Sequence, residues 1–267
     1  MSPLGIHSGI PDVSPSTVFT INGYPLANST LMAFLVVLIV ILTAFLLKKS
    51  TSGVPKKFQN FVEFVYEALS GLIFSVTGNR TLTEKVFPLV GALFIFIFFS
   101  NYSSLLPGLN EITYNGVALF RPATSDFNTT FALALSMILL IQFNTLRAEG
   151  IIKYLGRYIK IKELYHGFRK GITGGLFAIV DFCIGVLDIV GEIAKVISLS
   201  LRLFGNMYAG IVLSAVIMSG VAFIVPAVWM AMGFLSAMVQ TLVFALLITA
   251  YYSLSVPSGE PPDNKAT

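Results

Sequence analysis

The sequence predicts an all-α polytopic membrane protein: about five membrane-embedded helices and one amphipathic interfacial helix, with the last two helices long and joined as a hairpin. Three observations predict it. Of 267 residues, 55% are hydrophobic and 11% charged, whereas a soluble domain is about 25% charged. The apolar residues gather in runs at Leu31–Leu47, Val86–Leu106, Phe127–Leu146, Gly171–Val221 and Ala227–Leu254, against about 17–25 residues per crossing. Basic residues collect between alternate runs, as the positive-inside rule requires of cytoplasmic loops.

Residues 1–29 hold Asp12 as their only acid, together with His7 and the turn residues Pro3, Pro11, Pro15, Asn22-Gly23 and Pro25. No Lys or Arg precedes Lys48, so this stretch is expected to be neither a secretory n-region nor an arginine-bearing presequence. The segment reads as extracytoplasmic, and His7 lacks companions for a metal site. The first run ends at Lys48, Lys49, Lys56 and Lys57, which marks a cytoplasmic end. Over 58–76, polar residues at Gln59, Asn60, Glu63, Glu67 and Ser70 recur at helical spacing among Phe61, Phe64, Leu69 and Ile73. That pattern predicts an amphipathic helix at the inner interface.

The second run has Arg80 and Lys85 on its inner side and ends in Asn101-Tyr-Ser-Ser-Leu-Leu-Pro107-Gly108. A loop with Glu111, Arg121, Pro122 and Asp126 leads to the third run, which carries Gln142 and Asn144 near its inner end. Arg147, Lys153, Arg157, Lys160, Lys162, Arg169 and Lys170 follow, against only Glu149 and Glu163. This cytoplasmic segment serves topology and anionic headgroups. Residues 171–221 contain no proline and no basic loop. As one helix they would span about 75 Å against about 30 Å of hydrocarbon, so a single very long, tilted helix is predicted. Pro226 marks the turn, and the last run returns with Ser236, Gln240, Thr241 and Thr249. The expected organisation is thus one membrane domain over 30–256, N-terminus outside, with a disordered cytoplasmic tail over 257–267.

Inside the long helix sit five charges: Asp181, Asp188, Glu192, Lys195 and Arg202. An ionised side chain at bilayer depth costs about 2.5–3.5 kcal/mol on insertion scales and usually marks an ion path. Asp181, Asp188, Lys195 and Arg202 follow at steps of seven, which lays them along one slowly drifting stripe. Ser198 and Asn206 lie one turn either side of Arg202. The bland alternative is a structural knot of Asp188, Glu192 and Lys195 that only holds a bundle together. It leaves Arg202 unmatched, because Glu192, the nearest acid, is nearly three turns upstream. Arg202 therefore calls for a partner from another segment or chain. Gly191, Gly205 and Gly210 are spaced to let a neighbouring helix approach, and Gln240 is placed to meet Arg202 across the hairpin.

No phosphate loop, zinc spacing or nucleophile elbow is present, so no cofactor or metal is expected. The lone Cys183 excludes an internal disulfide and is read as packing. A net charge of +4 gives nucleic-acid binding no support. The residues point to an ion-translocating membrane subunit. A secondary transporter would show two related halves, an enzyme a nucleophile–base pair, and a scaffold would leave Arg202 unexplained.

Ser198-Leu-Ser-Leu-Arg202-Leu-Phe-Gly-Asn206-Met-Tyr-Ala-Gly210 resembles the signature of subunit a of F-type ATP synthases. Asn101-Tyr-Ser-Ser-Leu-Leu-Pro107, Arg121-Pro through Asp126 and Asn128, and the Gln240 helix resemble further landmarks of that family, in its order. The likeness covers about Gln59 to Val256. It implies that the last two long helices lie strongly tilted as a hairpin against the c-ring, and that Arg202 is the essential arginine, set between two aqueous half-channels and facing a carboxylate of that ring. It implies that Asn206 and Gln240 line the same region, and that Asp188 serves the cytoplasmic half-channel. Ser198 and Lys195 match motif positions with softer roles. The implied partners are the c-ring, the peripheral stalk subunit b, the F1 sector and membrane lipids. A bacterial plasma membrane is the expected location, and an organelle inner or thylakoid membrane fits the same sequence. This chain departs from the family pattern at Ile211, Gly233 and Ser104, where ionisable residues are common. Either waters held by Ser214, Ser219, Ser236 and Thr241 replace the outer ionisable pair, or Asp181 and Glu192 carry a shifted path. The departures leave H⁺ and Na⁺ both open as coupling ion.

Overall fold

The computed structural model describes residues 14–21, 23–50, 57–106, 109, 112–114, 117–158, 172–220 and 224–255. His7, Asp12, Lys56, Lys160, Lys162, Arg169, Lys170 and the tail expected to be disordered lie outside them. The chain opens with a hairpin of β1 (Thr17–Ile21) and β2 (Tyr24–Ala27), paired from Thr17↔Ala27 to Ile21↔Tyr24. Gly23 takes φ +84° at its turn, a conformation that only glycine adopts without strain. Where the sequence reads only as an extramembrane segment rich in turn residues, the alternation Thr17-Val-Phe-Thr-Ile makes a strand.

Helix α1 (Asn28–Ser50) is apolar nearly all round. Met32 and Val36 are buried, whereas Phe34, Leu38, Leu42 and Phe45 are exposed, as a lipid-facing span requires. Its start is tied down by polar contacts: Asn28 Nδ2 donates to the Ala118 carbonyl at 3.2 Å and Ser29 Oγ to Asp126 Oδ2 at 2.7 Å. Helix α2 (Lys57–Thr77) has three faces. Leu69 and Ile73 are buried, Phe61 and Phe64 are exposed, and Gln59 bonds Glu63 on the polar side. Gly78 (φ +62°) ends it, and Asn79 caps α3 (Arg80–Ser103) by accepting from Thr81 N and Leu82 N.

Val86, Val90, Leu93 and Ile97 form the buried strip of α3, the spacing of a one-sided helical contact. A short hairpin of β3 (Thr113–Tyr114) and β4 (Val117–Ala118) and a 3-10 turn (Ala123–Ser125) precede α4 (Phe127–Glu149). Asp126 caps α4 through Asn128 N at 3.0 Å. Gly150 (φ +81°) separates α4 from the short α5 (Ile151–Tyr158), which Tyr154 Oη ties back to Gln142 Oε1 at 3.0 Å.

The proline-free stretch is one continuous helix, α6 (Ile172–Gly220), of 49 residues, about 73 Å at 1.5 Å per residue. It is followed by α7 (Ile224–Ser255). Pro226 sits in the first turn of α7, where its missing N–H has no helical partner to lose. The core joins α2, α3, α4, α6 and α7 through Ile73, Val90, Ile97, Ile141, Leu199, Leu203, Phe244 and Ile248. Four described helices, at Asn28–Phe45, Arg80–Ser103, Phe127–Glu149 and Val228–Ser255, are long and apolar enough to cross a membrane. The architecture is that of an all-α polytopic membrane protein, with two small β-hairpins added.

Candidate functional site

The charged stripe runs along the open side of α6. Val196, Leu199, Leu203 and Met207 are buried against the bundle, while Leu201, Arg202, Gly205 and Ala209 are exposed. Among the described residues, the Arg202 side chain has no hydrogen bond or ion pair, and neither have those of Asp181, Asp188 and Ser198. A methyl group built on Gly191, Gly205 or Gly210 would meet nothing within 4 Å. The glycines therefore leave space outside the chain rather than within it.

Glu192 and Lys195 do pair. Lys195 Nζ donates to Glu192 Oε1 at 2.6 Å, with side chains 28% and 24% exposed respectively. The same Nζ lies 5.2 Å from the centre of the Tyr251 ring on α7, within range of a cation–π contact. The expected three-residue knot thus contains two residues. Asp188, one turn from Glu192, is exposed and stands outside it.

Ser236 Oγ donates to Asn206 Oδ1 at 3.2 Å, which fixes the register of the α6–α7 hairpin. One turn along each helix from that pair stand Arg202 and Gln240, so the two share a level. No bond joins them. Gln240 is only 9% exposed, on the buried face of α7 with Ala237, Thr241 and Phe244, and its Nε2 has no partner among the described residues. Arg202 points to the open side. Matching levels place residues along a helix axis, whereas rotation about the axis decides which side chains meet.

A polar cluster lies on this same buried face of α7, where it meets α3. Thr124 Oγ1 donates to Asn101 Oδ1 at 2.8 Å, Asn101 Nδ2 donates to Thr241 Oγ1 at 3.3 Å, and Thr241 Oγ1 donates to the Ala237 carbonyl at 2.8 Å. All three side chains are buried, beside Ser100, whose Oγ is unpartnered among the described residues. Arg121 braces the approach: its Nε donates to Ser125 Oγ at 3.0 Å and one terminal nitrogen to the Ser14 carbonyl at 2.9 Å. The sequence names Asn101 and Thr241 separately, and only the fold brings them together. The signal available beforehand is an amide at the end of an apolar run, which needs a partner when buried.

At the departure positions the reasons are local. A methyl on Gly233 would stand 3.0 Å from Leu105 Cδ2, so α7 passes close to the end of α3 there. Ser104 Oγ donates to the Asn101 carbonyl at 2.7 Å and Ile211 is half-buried. Of the hydroxyls expected to hold water, Ser236 and Thr241 are engaged as above and the Ser219 side chain lies outside the described ones.

A sequence profile described as ATP synthase A chain matches residues 30–253. ATP synthase subunit a of Desulforamulus reducens is 31% identical over 235 residues, 85% of this chain and 78% of that one. ATP synthase subunit a 1 of Syntrophotalea carbinolica is 33% identical, over 82% of this chain and 81% of its own. The Geotalea daltonii subunit a is 30% identical over 97% of this chain and 93% of its own. With the profile running through nearly the whole helical bundle, the chain belongs to the ATP synthase A chain family, subunit a of the F-type enzyme.

Proposed function

We propose that this chain is the stator channel of the F0 sector, conducting protons through two offset half-channels to and from carboxylates of a c-ring. In this way it couples transmembrane proton flow to rotation and ATP synthesis. The observation that supports this reading most is Arg202: a permanent cation on an open helix face, without a counter-ion among the described residues. Such a charge is stable at membrane depth only beside a carboxylate or water, and the free space beside Gly205 and Gly210 admits a helix that brings one. Its fixed charge attracts the deprotonated ring carboxylate and bars protons from crossing directly between the half-channels.

Asp188 and Asp181, both without bonds among the described residues, serve the cytoplasmic half-channel, and Ser198 shares the open face one turn before Arg202. Asn206 with Ser236, and Gln240 beside the Asn101–Thr124–Thr241 cluster, serve the outer one. Hydroxyl and amide groups carrying bound water take the place of the ionisable pair at Ile211 and Gly233. Glu192 is engaged by Lys195, which favours this hydroxyl route over the shifted path through Asp181 and Glu192. Subunit b and the F1 sector complete the assembly, in a bacterial plasma membrane with the N-terminus outside and the C-terminus in the cytoplasm. The test is Arg202→Ala in the assembled complex in vesicles. ATP-driven proton uptake is expected to vanish and passive proton leak to rise while the complex still assembles. Normal uptake would return the chain to the scaffold reading.

A further inference from the structure

The route proposed above uses unpaired charges and leaves Glu192, Lys195 and Tyr251 without a task. Their geometry sets one. Lys195 lies two turns from Arg202 on the same stripe, about 10.5 Å along the axis. A bare ammonium there would be a second fixed positive charge beside the cytoplasmic route, and a positive charge lining a narrow path is a barrier to protons. The 2.6 Å bond to Glu192 cancels that charge. Meanwhile the lysine stem spans from α6 to the Tyr251 ring on α7, and α7 contributes no charged residue of its own between Ile224 and Ser255.

We infer that Glu192, Lys195 and Tyr251 form a charge-neutral clamp: Lys195 braces the α6–α7 hairpin, and Glu192 is a positioning residue that keeps the brace from blocking protons. Asp188 then remains the nearest uncompensated acid to Arg202 on α6. The clamp rests on the reading of this hairpin as a proton route. Neutrality, not the bridge itself, is what the route needs, and that separates the clamp from an ordinary structural ion pair. Removing one partner leaves a charge uncompensated, whereas removing both does not.

The experiment compares Glu192→Gln, Glu192→Asp and the double variant Glu192→Gln/Lys195→Gln in the assembled complex in vesicles. It reads ATP-driven proton uptake, with assembly scored by co-purification of the other subunits. Glu192→Gln is expected to slow uptake about tenfold, equivalent to about 1.4 kcal/mol in a barrier. Glu192→Asp should stay within about twofold of the parent, and the double variant should recover to within about threefold. If Glu192→Gln fails to assemble, recovery of both assembly and uptake in the double variant supports the clamp equally. A double variant as slow as Glu192→Gln, or as poorly assembled, would make the pair purely structural and overturn the inference, as would parental uptake in Glu192→Gln. Arg202→Ala run alongside keeps the failures apart. Retained uptake there removes the proton route itself, whereas lost uptake there with parental Glu192→Gln removes only the clamp.

Discussion

At the scale of single residues, the buried amide of Asn101 joins segments far apart in the chain. It is fully buried and bonds Thr124 and Thr241, which are 23 and 140 residues away in sequence. Asn101→Leu keeps the branch point and the number of side-chain heavy atoms but leaves the Thr124 hydroxyl in the core without its acceptor. Each orphaned group costs about 1–3 kcal/mol. The variant is expected to unfold in detergent at a clearly lower temperature and, if the cluster lines the outer half-channel, to pump more slowly. An unchanged midpoint of thermal unfolding would show that the two threonines find other partners. Arg202 and Gln240 teach a different lesson at this scale. Their spacing from the hairpin turn is readable in the sequence, and they do share a level. Their facing is not readable, because it depends on which side of α7 packs on α3, a contact set by Leu105, Tyr102 and Phe234.

Among the elements, α6 was the most legible. A stretch of 49 residues without proline, with its charges at steps of seven, leaves the chain little besides one helix. The β-hairpins were not legible: strands of five residues or fewer, flanked by turn formers, give too short an alternation to separate from loop. The polar cluster was legible only as scattered residues, since its three members come from α3, the 3-10 turn and α7. The open face of α6 yields its own prediction. Gly205 has room for a side chain inside this subunit, so Gly205→Leu is expected to leave the isolated fold intact, with its helical circular dichroism unchanged. The same leucine stands where a ring helix is proposed to approach. Co-purification of the ring should fall severalfold, and full recovery of the ring would mean that this face looks into lipid.

For the whole molecule, the membrane-facing surface and the two ends can be told apart. Exposed aliphatic and aromatic side chains cover α1 and the outer faces of α2 and α4, the distribution that lipid stabilises. Tyr114 lies in the hairpin at one end and Ile152, 84% exposed, in α5 at the other. In a Cys183→Ala background, Tyr114→Cys should react with an impermeant maleimide from outside intact cells and Ile152→Cys only after the membrane is opened. The reverse pattern would invert the proposed orientation and exchange the two half-channels. The length of α6 has a consequence of its own. Kept within about 45 Å of bilayer, a helix of about 73 Å must slope about 52° from the normal and travel about 57 Å sideways. On that slope Asp188 and Arg202, about 21 Å apart along the axis, differ by only about 13 Å in depth and by about 17 Å in lateral position. A ring turning in the plane of the membrane would meet them one after the other rather than one above the other, so that depth in the bilayer is converted into sequence in time.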